Sequence, residues 1–414
     1  MKIIAPTFLA AIKNWVRYFV LPITVFIISN VSAFAEDLPP VSAPVPSQII
    51  SLNSALDDYK QLAVNGGWEK FSVGKAIKIG ASDARIPTAR QILATMGDYT
   101  GEQDLSSNVL DKNLSEAVKH FQERHGLEQD GAIGKKTQLA LAVPVEARIA
   151  QMETSLEQMR EMPDLGNRYI LVNVAGFYLK AVADNKTALT SRIIVGKPVH
   201  ATPLFSRAIT DVSFNPQWHV PESIVKNEFM GKLRKNPEFF NKGNFTITDP
   251  DGEKVDASNI DWENHGGSNF RFTQRSGSSN ALGKLKFNLP DTDNIYLHST
   301  GSPKLFAKAE RALSHGCIRV EKILELAYFV MNGMVDWNES KIAKMYEGNT
   351  SKIVSVKPVQ VYLAYWTSWV DEDSKQPNFY PDVYGHDKKR MAQLLQDNND
   401  NHGKVSGEMK LAME

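Results

Sequence analysis

The stretch Ser314-His315-Gly316-Cys317-Ile318-Arg319-Val320 sets the only cysteine of the chain between a glycine and a nearby cation. This cysteine, Cys317, lies 19 residues after His298, the histidine of Tyr296-Leu297-His298. Cysteine reacts as the thiolate, so a nucleophilic cysteine needs a base and donor groups near its sulfur. His298 and His315 are both candidates for that base. The alternation before His298 predicts a strand end, and Cys317 then falls in a loop before a helix, a common arrangement of catalytic groups.

A zinc site is one alternative for the same residues, because His298, His315 and Cys317 would supply three ligands. Structural zinc is normally closed by four ligands with C-x-x-C or H-x(3–5)-H spacing, and these residues show neither pattern. An inert buried cysteine is the other alternative, but it would normally lie within an apolar run. Cys317 has polar and charged neighbours. The pattern favours a catalytic thiol that needs no metal and no cofactor.

The N-terminus has the pattern of an export segment. Three basic residues within the first 17 positions precede a short apolar run, Val20 to Ile28, and Ala33-Phe34-Ala35 supplies a small-x-small cleavage site. This predicts a secretory signal peptide at 1–35, or an uncleaved membrane anchor because the basic segment is long. An unpaired cysteine outside the cytoplasm is a liability unless it is used, so export agrees with a catalytic Cys317.

Composition shifts and hydrophobic periods divide the 414-residue chain into several parts. The predicted boundaries are 1–35 for the signal peptide or anchor, 36–86 for a linker and N-terminal scaffold segment, 87–143 for a small helical domain, 144–166 for a connector helix, 167–386 for a catalytic domain with a cap inserted at 222–267, and 387–414 for a polar tail. The four prolines of 36–47 predict that the linker is extended. Acidic and basic residues balance at 47 each, which gives no reason to expect a nucleic-acid partner.

Helical spacing marks the small domain at 87–143. Two apolar runs are each ended by a glycine, Gly97 or Gly126, and Thr88 is predicted to cap the first run. His120 and His125 on the second run are interpreted as solvated side chains rather than as a metal pair. A spacer without a ligand is the alternative to a binding role, because the pattern consists mostly of core and turn positions.

Short alternating runs with frequent turns predict a mostly-β core after residue 168. Between Glu222 and Gly267 a helical run and a polar turn interrupt the strands. This predicts an inserted lid, with a passive insertion as the alternative. The aromatic residues of 359–369 either form a sugar-stacking surface or, as is commoner for aromatics in strands, belong to the core.

Four separated motifs resemble those of the L,D-transpeptidase (YkuD-type) family, and most of all its long YcbB-like subgroup. They are S-H-G-C-x-R-V at 314–320, Y-L-H at 296–298, N-P-x-W-x-V-P at 215–221, and G-x-x-N-A-L-G at 277–283 running into Lys286-Phe287. Their number and order make the resemblance specific, and it covers about 168–384. A second resemblance, to the peptidoglycan-binding type 1 domain, rests on F-Q-x-x-x-G-L-x-x-D-G-x-I-G at 121–134.

The resemblance implies an α+β multidomain protein, in which a mostly-β catalytic core with an inserted cap follows a small all-α peptidoglycan-binding-like domain. It also implies acyl transfer through a thioester on Cys317, with His298 as base and the Ser299 carbonyl orienting that base. The backbone N–H groups of His315, Gly316 and Cys317 are the expected oxyanion donors. The expected substrate-binding residues are Arg319, Tyr296, Ser314, Trp218 and Asn280. Arg319 either binds a substrate carboxylate or braces the loop.

The resemblance supplies the substrate, which is the tetrapeptide stem of peptidoglycan. Loss of the terminal D-alanine and attack by another stem's diamino acid would form a 3→3 cross-link. An L,D-carboxypeptidase, a lipoprotein-attaching enzyme and a non-catalytic wall-binding scaffold stay open as alternatives. The expected location is the periplasm, with the membrane reached only through an uncleaved anchor, and other wall-synthesis enzymes are a further expected class of partner.

Overall fold

The computed structural model describes residues 44–100, 105–292 and 294–391. The predicted signal peptide at 1–35 lies outside these residues, as do most of the linker and most of the polar tail. Within the described ranges, no helix is both long enough and apolar enough to cross a membrane.

Helices make up the N-terminal part of the described chain. They are α1 Pro44–Val64, α2 Ile86–Thr95, α3 Lys112–Arg124, α4 Lys135–Leu141 and α5 Val145–Arg160. Asp111 caps the N-terminus of α3, since its carboxylate accepts a hydrogen bond from the Leu114 N–H at 2.8 Å. Gly126, at φ 62°, ends it.

Two details of the helices differ from the sequence-based predictions. Thr88 does not cap α2 but lies inside it, because the helix begins at Ile86-Pro87, where a proline without an N–H fits the first turn. Residues 44–47, predicted as extended linker, already belong to α1 for the same reason, since prolines occupy its first turn.

The helices share a hydrophobic core with the outer side of the following sheet. The strand aromatics Tyr362, Trp366 and Trp369 are buried in it, so they belong to the core rather than to a sugar-stacking surface. The interpretation of His125 as solvated was wrong: only 1 % of it is exposed, and its ring stacks on Phe121 at 3.8 Å. Burial lowers the pKa of His125 well below its usual value. His120 is exposed, as expected.

Strands dominate after residue 167. They are β1 Arg168–Asn173, β2 Tyr178–Ala183, β3 Lys186–Gly196, β4 Ser206–Phe214, β5 Trp218–His219, β6 Phe245–Thr248, β7 Lys254–Val255, β8 Arg271–Gln274, β9 Leu285–Asn288, β10 Tyr296–His298, β11 Ala312–Ser314, β12 Ile318–Val320, β13 Lys352–Ala364, β14 Ser368–Val370 and β15 Pro377–Phe379. The later helices are α6 Glu222–Ile224, α7 Met230–Lys235, α8 Glu238–Lys242, α9 Ile323–Met331 and α10 Glu339–Glu347.

The main sheet closes into a barrel-like wall. Its nine strands follow the order β11-β3-β12-β10-β9-β4-β13-β1-β2, and β2 also pairs with β3. The 11-residue β3 makes this closure possible, because successive parts of it pair with β2, with β12 and with β11. The described chain therefore has a helical N-terminal part followed by a mostly-β barrel-like core, as the sequence predicts.

The predicted cap is a small layer with its own hydrophobic core. The helices α6 to α8 pack on a four-stranded sheet of order β5-β8-β6-β7. Aromatic rings fill its centre, with Phe229 edge-on to Phe240 at 4.9 Å. The unit runs from Trp218 to Gln274, because β5 and β8 pair with each other, so it is wider than the predicted 222–267.

The start of the predicted polar tail packs on α5. Asp387 is 3 % exposed and accepts hydrogen bonds from Thr367 and Gln158, and Arg390 pairs with Glu157 and Glu161. Residues 387–391 therefore belong to the packed structure, and the other predicted domain boundaries stay predictions.

Candidate active site

The register of the barrel wall brings the predicted catalytic residues together. In the parallel pairing of β10 with β12, His298 is opposite Arg319, and in the antiparallel pairing of β10 with β9 it is opposite Lys286. Opposed residues share a face of a sheet, and every second residue along a strand returns to it. Cys317 lies two positions before Arg319, and Tyr296 lies two positions before His298. All five side chains therefore project from one face.

The opposite face of the same strands is apolar. Leu297, Ile318 and Phe287 are completely buried in the barrel core. Burial of these neighbours fixes the register, because a slip by one residue would turn the polar face into the core.

The sulfur of Cys317 is half-buried and faces several hydrogen-bond donors and positive charges. Its Sγ lies 3.4 Å from the Asn294 carbonyl oxygen. Burial raises the pKa of the Cys317 thiol, while the backbone N–H and the hydroxyl of Tyr296 and the charges of Lys286 and Arg319 favour the thiolate. Burial is the larger effect, so the resting group is the protonated thiol.

The His298 ring is held neutral. Only 4 % of the residue is exposed, and burial together with the charge of Arg319 lowers the pKa of His298 to about 3. The carbonyl groups of Ser299 and Leu282 act in the opposite direction. The ring Nδ1 nevertheless makes no hydrogen bond with the part of the chain that the structure describes. A neutral imidazole can accept a proton, as a general base must.

These two pKa shifts predict how the thiol reacts. We expect iodoacetamide to alkylate Cys317 slowly at pH 7 and faster as the pH rises to 9 and beyond, because the raised pKa keeps the sulfur protonated at neutral pH. The intact mass after timed incubations between pH 6 and 10.5 measures the rate, with Cys317→Ala as the blank. A rate that is already maximal at pH 7 would contradict this account, because it would show a preformed thiolate–imidazolium pair.

The turn before Cys317 is shaped by Ser314. This residue is 2 % exposed, and its hydroxyl donates to the Cys317 carbonyl at 2.6 Å and accepts from the Gly316 N–H at 3.1 Å. Ser314, predicted to bind substrate, therefore holds the turn. The Gly316 N–H is also occupied, which leaves the N–H groups of His315 and Cys317 as the candidate oxyanion donors. Gly316 has φ 114°, a value that favours glycine.

The loop behind His298 also has a structural role. Asn280, predicted to bind substrate, is fully buried: its amide donates to the carbonyls of Gln274 and Arg275, and its oxygen accepts from the Leu282 N–H. The Ser299 hydroxyl binds the same loop through the Lys284 and Leu285 N–H groups. The motif at 277–283 therefore supports Ser299, and through it the end of β10, and substrate binding by Asn280 stays a prediction.

The guanidinium of Arg319 stands near the thiol. Its Nε is buried, and no hydrogen bond or ion pair joins its guanidinium to another described residue. Burial lowers the pKa of Arg319, and Cys317 raises it. An arginine that braced the loop would donate to loop carbonyls, so this geometry favours the role of binding a carboxylate.

Trp218 and Glu228 of the cap both contact residues of the site. Trp218, on β5 of the cap, interacts with the Tyr296 hydroxyl. Glu228, in the π-helical turn Val225–Phe229, lies 2.5 Å from Nε2 of His315. The sequence predicts Trp218 as a residue of the site but not Glu228, because nothing in the sequence links Glu228 to a residue 87 positions away.

The sequence-based reasoning also missed Thr202 and Lys286. The Thr202 hydroxyl donates to the Gly316 carbonyl at 2.7 Å, and no pattern in the sequence marks it. Lys286 is part of a motif that was recognised, but only the strand register shows that it faces Cys317. Within the described ranges, no three His, Cys, Asp or Glu side chains cluster as metal ligands would.

Barrel and site together define a β-rich domain that carries a Cys/His pair under a cap. Residues 167–354 match the YkuD family, described as the L,D-transpeptidase catalytic domain, and residues 82–141 match the family described as "Putative peptidoglycan binding domain". The barrel and its site thus lie in the region that matches the L,D-transpeptidase catalytic domain, and the helical part before it matches the peptidoglycan-binding domain.

The chain is also similar to individual proteins over part of its length. A protein of Haemophilus influenzae named "Putative L,D-transpeptidase" is 34 % identical over 248 residues, which are 59 % of this chain and 50 % of that protein. The chain therefore spans about half the length of this curated relative. Among solved structures, an L,D-transpeptidase from Mycobacterium smegmatis is 14 % identical over 48 % of this chain and 58 % of its own, with a TM-score of 0.23. The ertapenem-acylated catalytic domain of the E. faecium L,D-transpeptidase is 15 % identical. The match covers 47 % of this chain and 97 % of that domain, with a TM-score of 0.22. Superpositions this loose add nothing to the fold, which rests on the strand order.

Proposed function

We propose that the protein is a peptidoglycan L,D-transpeptidase that forms 3→3 cross-links between stem peptides through a thioester on Cys317. The observation that carries the proposal is the register that sets Cys317, His298 and Arg319 on one face of the barrel wall. The family of the catalytic domain and the presence of a peptidoglycan-binding domain support the choice of substrate.

The first half-reaction acylates the enzyme. As the substrate carbonyl approaches, His298 takes the thiol proton and the sulfur attacks the carbonyl carbon. The N–H groups of His315 and Cys317 bind the oxyanion, and Arg319 binds the carboxylate of the terminal D-alanine. The carbon–nitrogen bond then breaks, and the leaving amine takes the proton from His298.

The second half-reaction transfers the acyl group. The amine of a second stem attacks the thioester carbon and gives its proton to His298. The carbon–sulfur bond breaks, and the thiolate recovers that proton. Water in place of the amine would give a hydrolysed tripeptide, so the products decide between a transpeptidase and an L,D-carboxypeptidase.

Product analysis tests the proposal. Purified protein is incubated with disaccharide tetrapeptide stems, and the products are separated and identified by mass. We expect released D-alanine together with a dimer joined through two third residues. Tripeptide without dimer would assign an L,D-carboxypeptidase instead, and no turnover of any stem would overturn the proposal.

The cap acts as a lid in this proposal, held closed by the contact between Glu228 and His315. Both side chains are about one-third exposed, so the pair contributes about 1 kcal/mol or less. A closed cap would shield the thioester from water and favour the amine.

Replacing Glu228 by glutamine should therefore raise the ratio of hydrolysed tripeptide to cross-linked dimer by about two- to fivefold, because about 1 kcal/mol corresponds to that change in the closed population. Glu222→Gln, an exposed residue of the same helical segment, is the matched control and should leave the ratio unchanged. An unchanged ratio in folded Glu228→Gln, or an equal change in both variants, would count against the lid.

We further propose that the protein is exported and works in the periplasm, as the N-terminal pattern indicates. Cell fractionation followed by N-terminal sequencing separates a cleaved signal peptide from an anchor. Recovery of full-length protein in the cytoplasmic fraction would contradict export.

A further inference from the structure

The residues that end β3 and follow it, from Gly196 to Thr202, lie against the turn that carries the nucleophile. The Lys197 N–H donates to the Ser314 carbonyl at 2.9 Å, and the Thr202 hydroxyl donates to the Gly316 carbonyl at 2.7 Å. Thr202 is completely buried. The mechanism described above gives this segment no role, although two of its residues hydrogen-bond to the turn.

The segment reaches the turn because the chain folds back tightly on Gly196. A Cβ at this position would lie 1.9 Å from the His200 carbonyl oxygen, so no side chain fits there. The close approach lets the Thr202 hydroxyl accept a hydrogen bond from the Gly196 N–H at 2.9 Å. The hydroxyl therefore accepts from one backbone group and donates to another, the Gly316 carbonyl.

Tyr384, on the segment after β15, holds Thr202 from the other side. Its hydroxyl donates to the Gly196 carbonyl at 2.6 Å and accepts from the Thr202 N–H at 3.2 Å. The backbone N–H of Tyr384 donates in turn to the Tyr365 hydroxyl at 2.9 Å. A chain of hydrogen bonds thus connects the last strands of the described structure to the Gly316 carbonyl, and members of such a chain strengthen one another.

The carbonyl that Thr202 binds belongs to the same peptide unit as the Cys317 N–H. A peptide unit is planar and almost always trans, so its C=O and its N–H point in opposite directions. Gly316 lacks a side chain that would limit rotation of this unit, and its φ of 114° lies in the region that favours glycine. Fixing the oxygen on one side therefore fixes the direction of the Cys317 N–H on the other.

The direction of this N–H matters because it is one of the two candidate oxyanion donors. A donor stabilises the developing charge best when it already points to the place that the oxyanion will occupy. The next carbonyl, that of Cys317 itself, accepts from the Ser314 hydroxyl at 2.6 Å. Thr202 and Ser314 thus hold the carbonyls on both sides of the nucleophile.

From this geometry we infer that Thr202, supported by Tyr384, is a positioning residue that directs the Cys317 N–H at the oxyanion formed on the substrate carbonyl. The inference rests on the proposed function, because it concerns the same site, and it adds a residue that no motif marks. Thr202 acts through a peptide unit and not through the sulfur. It should therefore affect addition to a carbonyl and leave other reactions of the thiol unchanged.

The test compares two reactions of Cys317 with small reagents, of which only one forms an oxyanion. With 4-nitrophenyl acetate the sulfur adds to the ester carbonyl, His298 takes the thiol proton, and the carbon–oxygen bond breaks to release 4-nitrophenolate and leave a thioester. With iodoacetamide the sulfur displaces iodide at a saturated carbon, where no oxyanion develops. The intact mass after timed incubations gives both rates, with Cys317→Ala as the blank.

Thr202→Val keeps the shape of the side chain and removes the hydroxyl. We expect acylation by the ester to fall about ten- to a hundredfold and alkylation to stay within about twofold of the wild type. With a stem peptide, the loss should appear in kcat and not in KM, because the donor acts on the transition state. Thr202→Ser, which retains the hydroxyl, should acylate within about threefold of the wild type. Thr154→Val is the control: it removes a hydroxyl buried to 1 % exposure on α5 and should change neither rate.

Three results would overturn the inference. Equal losses of acylation and alkylation in Thr202→Val would show that the residue only maintains the turn. Wild-type acylation by this variant would show that the hydroxyl has no part in the reaction, and a loss as large in Thr202→Ser would show the same. If Thr202→Val does not fold, Tyr384→Phe decides, because it removes a group that holds Thr202: a loss confined to acylation supports the inference, and no loss overturns it.

Failure of the proposed function gives a different pattern. A wild type that the ester acylates on Cys317 but that turns over no stem would overturn the proposed substrate, and the comparison of the Thr202 variants would still decide the positioning role. A wild type that neither the ester nor a stem acylates would overturn both.

Discussion

Cys317→Ala should lose all acylation, by at least about a thousandfold in rate, because no other cysteine exists in the chain to form a thioester. The side chain is small and only half-buried, and its contact with the Asn294 carbonyl oxygen is a weak one at 3.4 Å. The fold should therefore survive the change. D-alanine release from a stem peptide measures activity, and thermal unfolding measures stability.

The expected pair of results is no measurable release and a midpoint of unfolding within a few degrees of the wild type. A variant that unfolds would leave the loss of activity ambiguous, so Cys317→Ser, which retains the size of the side chain, is measured beside it. Wild-type turnover by either folded variant would contradict the assignment of the nucleophile.

His298→Gln should lower the rate of acylation by about a hundred- to ten-thousandfold, the usual contribution of a general base. The loss should shrink as the pH rises, because hydroxide then removes the thiol proton that His298 no longer takes. Acylation rates between pH 7 and 10.5 measure both effects.

His120→Gln is the control for this experiment, since that histidine is exposed on α3 and should leave the rate with a soluble stem unchanged. His315→Gln distinguishes the two histidines that the sequence leaves open. Its side chain contacts Glu228 and the ring of His200, so we expect a small effect. A loss in His315→Gln as large as that in His298→Gln would move the role of base to His315.

The sequence alone singles out Cys317 and His298, because the chemistry predicted for them depends on residue types that are rare in such a pattern. A lone cysteine among polar neighbours, with a histidine at a strand end, is typical of a nucleophile and its base rather than of a packed core. The barrel-like core is also predictable, since its short strands alternate and turn residues separate them; Asp184 and Asn185, both at positive φ, form one such turn.

The structural roles of small polar residues inside recognised motifs are not visible in the sequence. Ser314 and Asn280 stand in motifs, but a motif does not show whether a side chain faces the ligand or the backbone. In the structure both side chains are engaged in local hydrogen bonds. The prediction that His125 is solvated was wrong because a distant strand, Pro377–Phe379, covers its ring. That strand lies some 250 residues later in the chain, and no local pattern predicts the contact.

Lys286 and Glu228 are residues of the site that sequence-based reasoning does not place there. Each reaches the site from an element far away in sequence, Lys286 through the register of β9 against β10 and Glu228 through the folding of the cap onto the catalytic loop. Contacts of this kind depend on tertiary packing, which hydrophobic periods and motif spacing do not encode.

The intact mass of the protein after incubation with a stem tetrapeptide, quenched in acid, tests the central claim most directly. The account predicts a species heavier by the tripeptide acyl group, present in the wild type, enriched in the absence of an acceptor amine, and located on Cys317 by peptide mapping. A wild type that releases D-alanine with the adduct on another residue, or with no adduct under any quench, would contradict thioester catalysis at Cys317.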